Sequence, residues 1–265
     1  MTGSRLRTAL FLFVAWTACV IAGCERTVSD VEAVDIRSSS HSADGVRALV
    51  VESDRGTVVI RGETDRETID VTATLRARGA SLEQAEARLE ALDVSETRSD
   101  GTLCLGFRIP AEGAEGTAAA DLVVLVPLGT SIDVNGGEVG VTIGSVSGTL
   151  RIATETGDVV VRGADLERFA VSSGTGDVEF SGRFVGTGAV HEMRTDRGDV
   201  HVRIPLDARL RIDARVPRGG IVTSSLPLSG DTGGTEWSAV LNAPDATLRL
   251  ETRDGGILIG RLHET

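Results

Sequence analysis

Apolar and polar residues alternate along most of this chain, and glycines interrupt the alternation at near-regular intervals. The pattern is sharpest from Leu150 to Gly182, where LRIATETGDVVVRG is followed, after a short link, by FAVSSGTGDVEFSG. Each copy holds an alternating run, a turn ending in glycine (Gly157, Gly176), an acid, a valine and a second alternating run. Related copies stand at Gly137-Glu138-Val139, Gly198-Asp199-Val200, Gly219-Gly220-Ile221 and Gly255-Gly256-Ile257, with a distant early one at Gly56-Thr57-Val58. From Gly137 to Gly219 the steps are 20, 19, 22 and 21 residues.

Period-two alternation predicts half-buried strands. Recurrence at this longer period predicts a stacked array. The expected fold class is therefore all-β, a parallel β-solenoid (β-helix-like) of G-D-V repeats. Within one copy, Leu150 and Ile152 would share a core with Val159 and Val161. One layer on, Phe169, Val171, Val178 and Phe180 would repeat them, and Leu210 and Ile212 would do so later. A single copy cannot bury its apolar face alone, whereas stacking at about 4.8 Å closes the core. Each turn glycine is expected at positive φ, which a side chain tolerates poorly.

The rest of the chain divides around this block. Arg47–Gly62 reads as a hairpin-like strand pair around Asp54-Arg55-Gly56. Thr68–Arg76 alternates cleanly, with Ile69, Val71, Ala73 and Leu75 on one face. Residues 81–92 predict a helix, because Ser81 and Gln84 have capping-box spacing and Leu82, Ala85, Leu89 and Leu92 form one stripe. Further strands are expected at Val94–Thr97, Thr102–Ile109 and Leu122–Val126, with AEGAEGTAAAD as a loop between the last two. Regular repeats are expected over 130–222. An insertion at 224–246 follows, rich in Gly and Pro, and Leu248–Gly260 adds one more copy. The expected organisation is a leader at 1–23, a tether at 24–44 and one domain at 45–260, whose N-terminal cap is 45–109.

Composition sharpens this picture. The chain has 32 Gly, no Tyr and 3% aromatic residues, which suits a narrow β-coil with little interior room for rings. Glycines in register with apolar alternation argue against low complexity. The formal net charge is −12. Loss of the leader, with Arg5 and Arg7, leaves 25 Arg against 39 acids, or −14. Such a surface disfavours nucleic acid, whose phosphates need basic partners.

The leader has a charged start, Arg5 and Arg7, then an apolar run from Thr8 to Val20 that is short for a transmembrane helix. It ends in Ile21-Ala22-Gly23-Cys24, which resembles the lipobox of bacterial lipoproteins. That resemblance implies cleavage before Cys24 and acylation of its thiol. Several acyl chains hold a protein stably on a membrane. With Cys19 removed and Cys24 acylated, Cys104 is left alone, so no intrachain disulfide is expected.

Candidate chemistry is sparse. The acids Glu138, Asp158, Asp177 and Asp199 would form a ladder along one edge of the stack. Such a ladder is either held by turn hydrogen bonds or bridged by calcium, and the G-G-x-G-x-D pattern of calcium-binding β-rolls is absent. Trp237, alone of its kind after the leader, either packs the insertion down or stacks on a sugar. His191 and His201 flank one copy but lack a third ligand at zinc spacing. Cys104 alternates with Leu103 and Leu105 as a plain small residue. The G-x-S-x-G elbow and the phosphate-binding loop are absent. No catalytic residue, metal or cofactor is expected.

Three stretches, TETGDVVVRG (154–163), SGTGDVEFSG (173–182) and TDRGDVHVRI (195–204), together resemble a bacterial adhesin-like family, a domain of unknown function in envelope proteins. The resemblance covers about residues 45–260. It implies a β-solenoid at the cell envelope, facing the periplasm or exterior, with an adhesin-like or scaffolding role. The expected function is a non-enzymatic lipoprotein tethered to the membrane through Cys24, with an envelope protein or surface polymer as partner. The alternative is a carbohydrate-binding or carbohydrate-active β-helix, with Trp237 as a ligand contact.

Overall fold

The computed structural model describes residues 30–110, 118–218 and 220–262. The leader, Cys24 and His263 lie outside the described residues. The chain is all-β apart from one short helix.

Strands β1 (Val31–Ser42), β2 (Ala48–Glu63) and β3 (Thr68–Gly79) precede helix α1 (Leu82–Glu90). Strands β4 (Asp93–Ser99), β5 (Thr102–Arg108) and β6 (Ala118–Pro127) follow it. Then come β7 (Ser131–Gly144), β8 (Ser147–Thr156), β9 (Val159–Thr175), β10 (Val178–Phe184), β11 (Val190–Arg197) and β12 (Val200–Ile204). The C-terminal part holds β13 (Leu210–Arg215), β14 (Val222–Ser224), β15 (Ser229–Asp231), β16 (Glu236–Leu241), β17 (Ala246–Asp254) and β18 (Ile257–Arg261).

These strands build two parallel ladders. The first wall runs β5, β2, β7, β8, β9, β11, β17, β13. The second runs β6, β2, β7, β9, β10, β12, β18, β14. Inward side chains of both walls form one continuous core. Val58, Val141, Val159, Val178, Val200 and Ile257 fill equivalent places, each at most 1% exposed. Strands β2, β7 and β9 are long because each crosses from one wall to the other at a bend.

The predicted apolar alternation therefore holds, but the order of layers departs from the sequence at both ends. The layer made by β2 lies between the β5–β6 layer and β7. The last copy, β17–β18, lies between β11–β12 and β13–β14. Charge explains the second case. On the outer side of the first wall, Glu192, Arg249 and Asp213 are neighbours across three strands, as are Arg194, Glu251 and Arg215. Placing β13 directly beside β11 would set Glu192 against Asp213 and Arg194 against Arg215. Like charges directly opposite destabilise strand pairing. The observed order alternates the signs.

Both ends of the stack carry antiparallel strands. At one end β3 pairs with β6, β1 with β3 and β4 with β5. Glu96 on β4 reaches across to β1, bonding the Ser39 hydroxyl at 2.8 Å and His41 Nε2 at 2.9 Å. At the other end β16 pairs with β13, and β15 with β16.

Several expectations are corrected. Residues 47–62 are not a hairpin: β2 is one strand, because Gly56 (φ 125°) bends it between walls instead of reversing it. The tether cannot extend to residue 44, since Val31–Ser42 is strand paired along its length with β3. Ala118–Asp121, expected in the loop, belong to β6. In α1, Ser81 caps Gln84 N–H at 3.2 Å, and Gln84 Oε1 accepts from the Ala80 amide at 2.8 Å. Ala85, Leu89 and Leu92 are buried, but Leu82 is 41% exposed, because the first turn projects beyond the sheet.

At Gly176 (φ 142°) an added Cβ would lie 2.3 Å from the carbonyl oxygen of Gly157. Gly176→Ala should cost at least about 2 kcal/mol and lower the melting temperature by roughly 5–10 °C in a thermal scan.

Candidate functional site

The residues singled out by the repeat converge on the bend between the walls. There the turn glycines stack. Gly157 lies against the Val139 carbonyl, Gly176 against Gly157, Gly198 against Gly176 and Gly255 against Gly198. Positive φ is adopted at Gly56, Gly157, Gly176 and Gly198. Gly137 does not adopt it, and its would-be Cβ meets Asp54, outside this column.

A second column runs beside the glycines. The Asp177 amide donates to Asp158 Oδ1 at 2.8 Å, the Asp199 amide to Asp177 Oδ1 at 2.8 Å, and the Gly256 amide to Asp199 Oδ1 at 2.7 Å. Each carboxylate thus accepts a backbone N–H from the next layer. Charge-assisted bonds of this kind are stronger than neutral ones, and they offset repulsion between acids stacked at strand spacing.

Glu138 is not in this column. Val141 pairs with Val159, which puts Gly140 opposite Asp158 and Glu138 opposite Thr156. Glu138 instead accepts from Arg55 Nε at 2.7 Å, and that bond holds its carboxyl below the usual carboxylate range. The candidate ladder is therefore three aspartates. Among the described residues, no group of three or more His, Cys, Asp or Glu is placed to hold a metal ion.

A third column was missed. Three residues before each turn glycine stands a hydroxyl that points into the core: Ser53, Thr154, Ser173, Thr195 and Thr252, each at most 8% exposed. Ser173 Oγ donates to the Gly157 carbonyl at 3.1 Å, Thr195 Oγ1 to Gly176 at 2.8 Å and Thr252 Oγ1 to Gly198 at 2.7 Å. Buried polar groups need such partners. The constant offset from the glycine was the available signal. The hydroxyls of Ser53 and Thr154 have no partner among the described residues.

His191 and His201 are on different walls. His201 is half-buried on the outer side of β12, and His191 is fully buried on β11. The His191 ring stacks on Phe184, with centroids 4.3 Å apart, beside Phe169 and Phe180. Neither ring nitrogen has a partner among the described residues. Burial pushes its pKa down to about 4. Cys104 is half-buried, on the face opposite the buried Leu103 and Leu105. Trp237 lies opposite Ala214, half-buried and packed against the core, with its indole N–H buried and without a partner among the described residues. A shallow cavity of about 250 Å³ borders it, edged by Glu192, Asp213, Arg249 and Glu251.

Two outcomes follow. Asp177→Ala should cost about 1–3 kcal/mol because the Asp199 amide loses its acceptor, whereas Asp177→Asn keeps an acceptor and should cost under about 1 kcal/mol. Calcium addition should move neither melting curve. For His191, the folded pKa of about 4 lies below the free value of 6.5. Between these values the unfolded chain holds the extra proton, so stability falls as pH falls. Urea titrations at pH 7 and pH 4.5 should show wild type losing about 2–3 kcal/mol more than His191→Leu.

Comparison with known proteins places this geometry. The family profile described as Toastrack DUF4097 matches residues 46–204. Among solved structures, a candidate cell adhesion protein from Clostridium sporogenes is similar at 12% identity. The match covers 86% of this chain and 99% of that one, with a TM-score of 0.54. A candidate adhesin from Bacteroides fragilis is similar at 15% identity over 84% of this chain and 96% of that one, with a TM-score of 0.44. No curated protein matches. The first of these likenesses is one of fold, and the profile covers more than half of the sequence, so the chain belongs to the Toastrack DUF4097 family.

Proposed function

We propose that this protein is a non-enzymatic cell-envelope lipoprotein. In this reading Cys24 carries the lipid, residues 24–30 form the tether, and a β-solenoid adhesin-like domain displays its walls to an envelope protein or surface polymer. The antiparallel strands and α1 before residue 109 serve as its N-terminal cap, and the 224–246 segment covers the other end.

One observation carries the reading. The recurring polar residues bond within the stack: Oδ1 of Asp158, Asp177 and Asp199 accepts a backbone amide, and the hydroxyls of Ser173, Thr195 and Thr252 donate to glycine carbonyls. A recurring structural role of this kind supports a scaffold over a catalyst or a calcium roll. The likeness in fold to a candidate cell adhesion protein and the lipobox-like Ile21–Cys24 run support the address. Among the described residues no helix is long and apolar enough to cross a membrane, so in this reading the anchor is the lipid.

The carbohydrate reading draws on the cavity beside Trp237. It is the weaker of the two, because packing against the core limits how much ring face Trp237 can offer a sugar.

The test is metabolic labelling with an alkyne fatty acid, followed by membrane fractionation. Wild type should be labelled and sediment with membranes, while Cys24→Ala should lose both properties. Label on Cys24→Ala would defeat the lipoprotein reading. Retention of wild type on an envelope polysaccharide, abolished by Trp237→Ala without a fall in melting temperature, would replace the scaffold with the carbohydrate reading.

A further inference from the structure

The outer side of the second wall is laid out in three parallel columns. The middle column is short and mostly apolar: Val123, Val59, Thr142 and Val160 are neighbours across four strands. Val123 is 43% exposed and Thr142 is exposed. The column continues through Glu179 and His201 to Leu258, itself 43% exposed.

Two residues to one side lies the acidic column. It contains Asp121, Asp158, Asp177 and Asp199, separated along the stack by Thr57 and Gly140. Two residues to the other side lie Arg61, Arg162 and Arg203, all exposed. Glu179 sits between the last two. Burial alone would raise its pKa, but its bonds to Arg203 and Arg162 hold it down. One carboxylate shared by two guanidiniums leaves that edge positive.

This layout is self-complementary under one operation. A two-fold axis along the stack, through the middle column, turns the face onto itself and carries the acidic column onto the arginine column. A two-fold axis along the strands would set acid against acid. With the first operation every layer meets its own copy: Glu179, on the axis, meets its counterpart with each held by Arg162 and Arg203, and opposite charges meet in two layers. Asp158 faces the partner's Arg162, and Asp199 faces the partner's Arg203. The layer with Gly140, Thr142 and Gly144 is the flattest and lets the sheets approach to the usual packing distance of about 10 Å. Closed two-fold contacts of this kind are the commonest in homo-oligomers.

We propose that the outer face of the second wall, centred on Thr142 and Val160, binds a second copy of this chain, the two stacks running side by side in the same direction. The proposal goes beyond the envelope reading and stands whether or not Cys24 carries lipid.

Sedimentation velocity of the purified chain with Cys24→Ser, from about 1 to 200 µM, tests it. A reversible dimer in the micromolar range is expected, weakening as salt rises. Val160→Glu and Arg162→Asp should each raise the dissociation constant about tenfold or more. Combining Asp158→Arg with Arg162→Asp in one chain should bring it back to within about threefold. In a Cys104→Ser background, a short bismaleimide should join Val123→Cys chains into dimers, and Leu258→Cys chains likewise. These positions lie six layers apart in the middle column, about 29 Å, so a strand-wise axis could not bring both against their own copies, and joining at both identifies the orientation. A chain that stays monomeric at 200 µM, a dimer indifferent to Val160→Glu, or a charge swap that fails to restore binding while the melting temperature holds would each overturn the proposal. So would capture of a different envelope protein on this face by a chain that remains monomeric alone.

Discussion

Everything in this molecule depends on how closely one layer's carbonyls approach the next layer's bend. At Gly56, Gly157, Gly176, Gly198 and Gly255, where the chain passes from the first wall to the second, the neighbouring layer's backbone lies within about 2.5 Å of where a Cβ would stand, so a residue without a side chain is required there. Gly157, Gly176 and Gly198 also take φ of 137°, 142° and 140°, which an L side chain rarely adopts, whereas β6 and β7 pass the same place with Ala120 and Val139. Once glycine is in place, the same close approach lines up carbonyls for the inner hydroxyls and amides for the outer carboxylates. Two kinds of side-chain hydrogen bond then run in parallel down one corner of the stack.

That corner also gives the acids a structural role. A row of carboxylates in a sequence invites a cation, and in three dimensions Oδ1 of each aspartate already accepts an amide from its neighbour at 2.7–2.8 Å, with Oδ2 left to the outer face. The walls contribute differently. On the first wall the charges of β11, β17 and β13 alternate in sign and favour placing β17 between the other two. On the second wall they separate into an acidic and a basic column with β-branched side chains between.

The short-range features were legible because strand alternation and cap chemistry are local. Inward Val159, Val178 and Phe180, the positive φ of Gly157 and Gly176, and the Ser81 cap all follow from a few adjacent residues. Pairing was less legible. Gly137 resembles a turn glycine, yet the layer it belongs to aligns through Val139, so Glu138 drops out of the acidic column. Such a two-residue offset leaves every side chain on its expected face and is invisible to periodicity. The layer formed by β5 and β6 was hidden because no glycine turn of the repeat type stands between Thr102–Arg108 and Ala118–Pro127 in register with the others. Position in the stack follows position in the sequence from β7 to β12 but not at the ends, and for β17 the deciding charges lie on strands far apart in the chain. The buried hydroxyls were visible as a constant spacing but look like ordinary strand polarity until the glycine carbonyls are seen beside them.

The place of β17 and β18 has a consequence for how the molecule comes together. As the polypeptide emerges from the ribosome or a translocation channel, β7 through β12 can add in order, each onto the one before. The strands that follow cannot simply continue the series, because their slot is one layer too far away. Residues 210–224 must wait, or dock loosely, until residues 246–261 arrive and wedge between. The stack therefore behaves less like a zipper drawn from one end than like an arch with a late keystone. Insertion of residues 246–261, and not addition of β7 to β12, closes the stack.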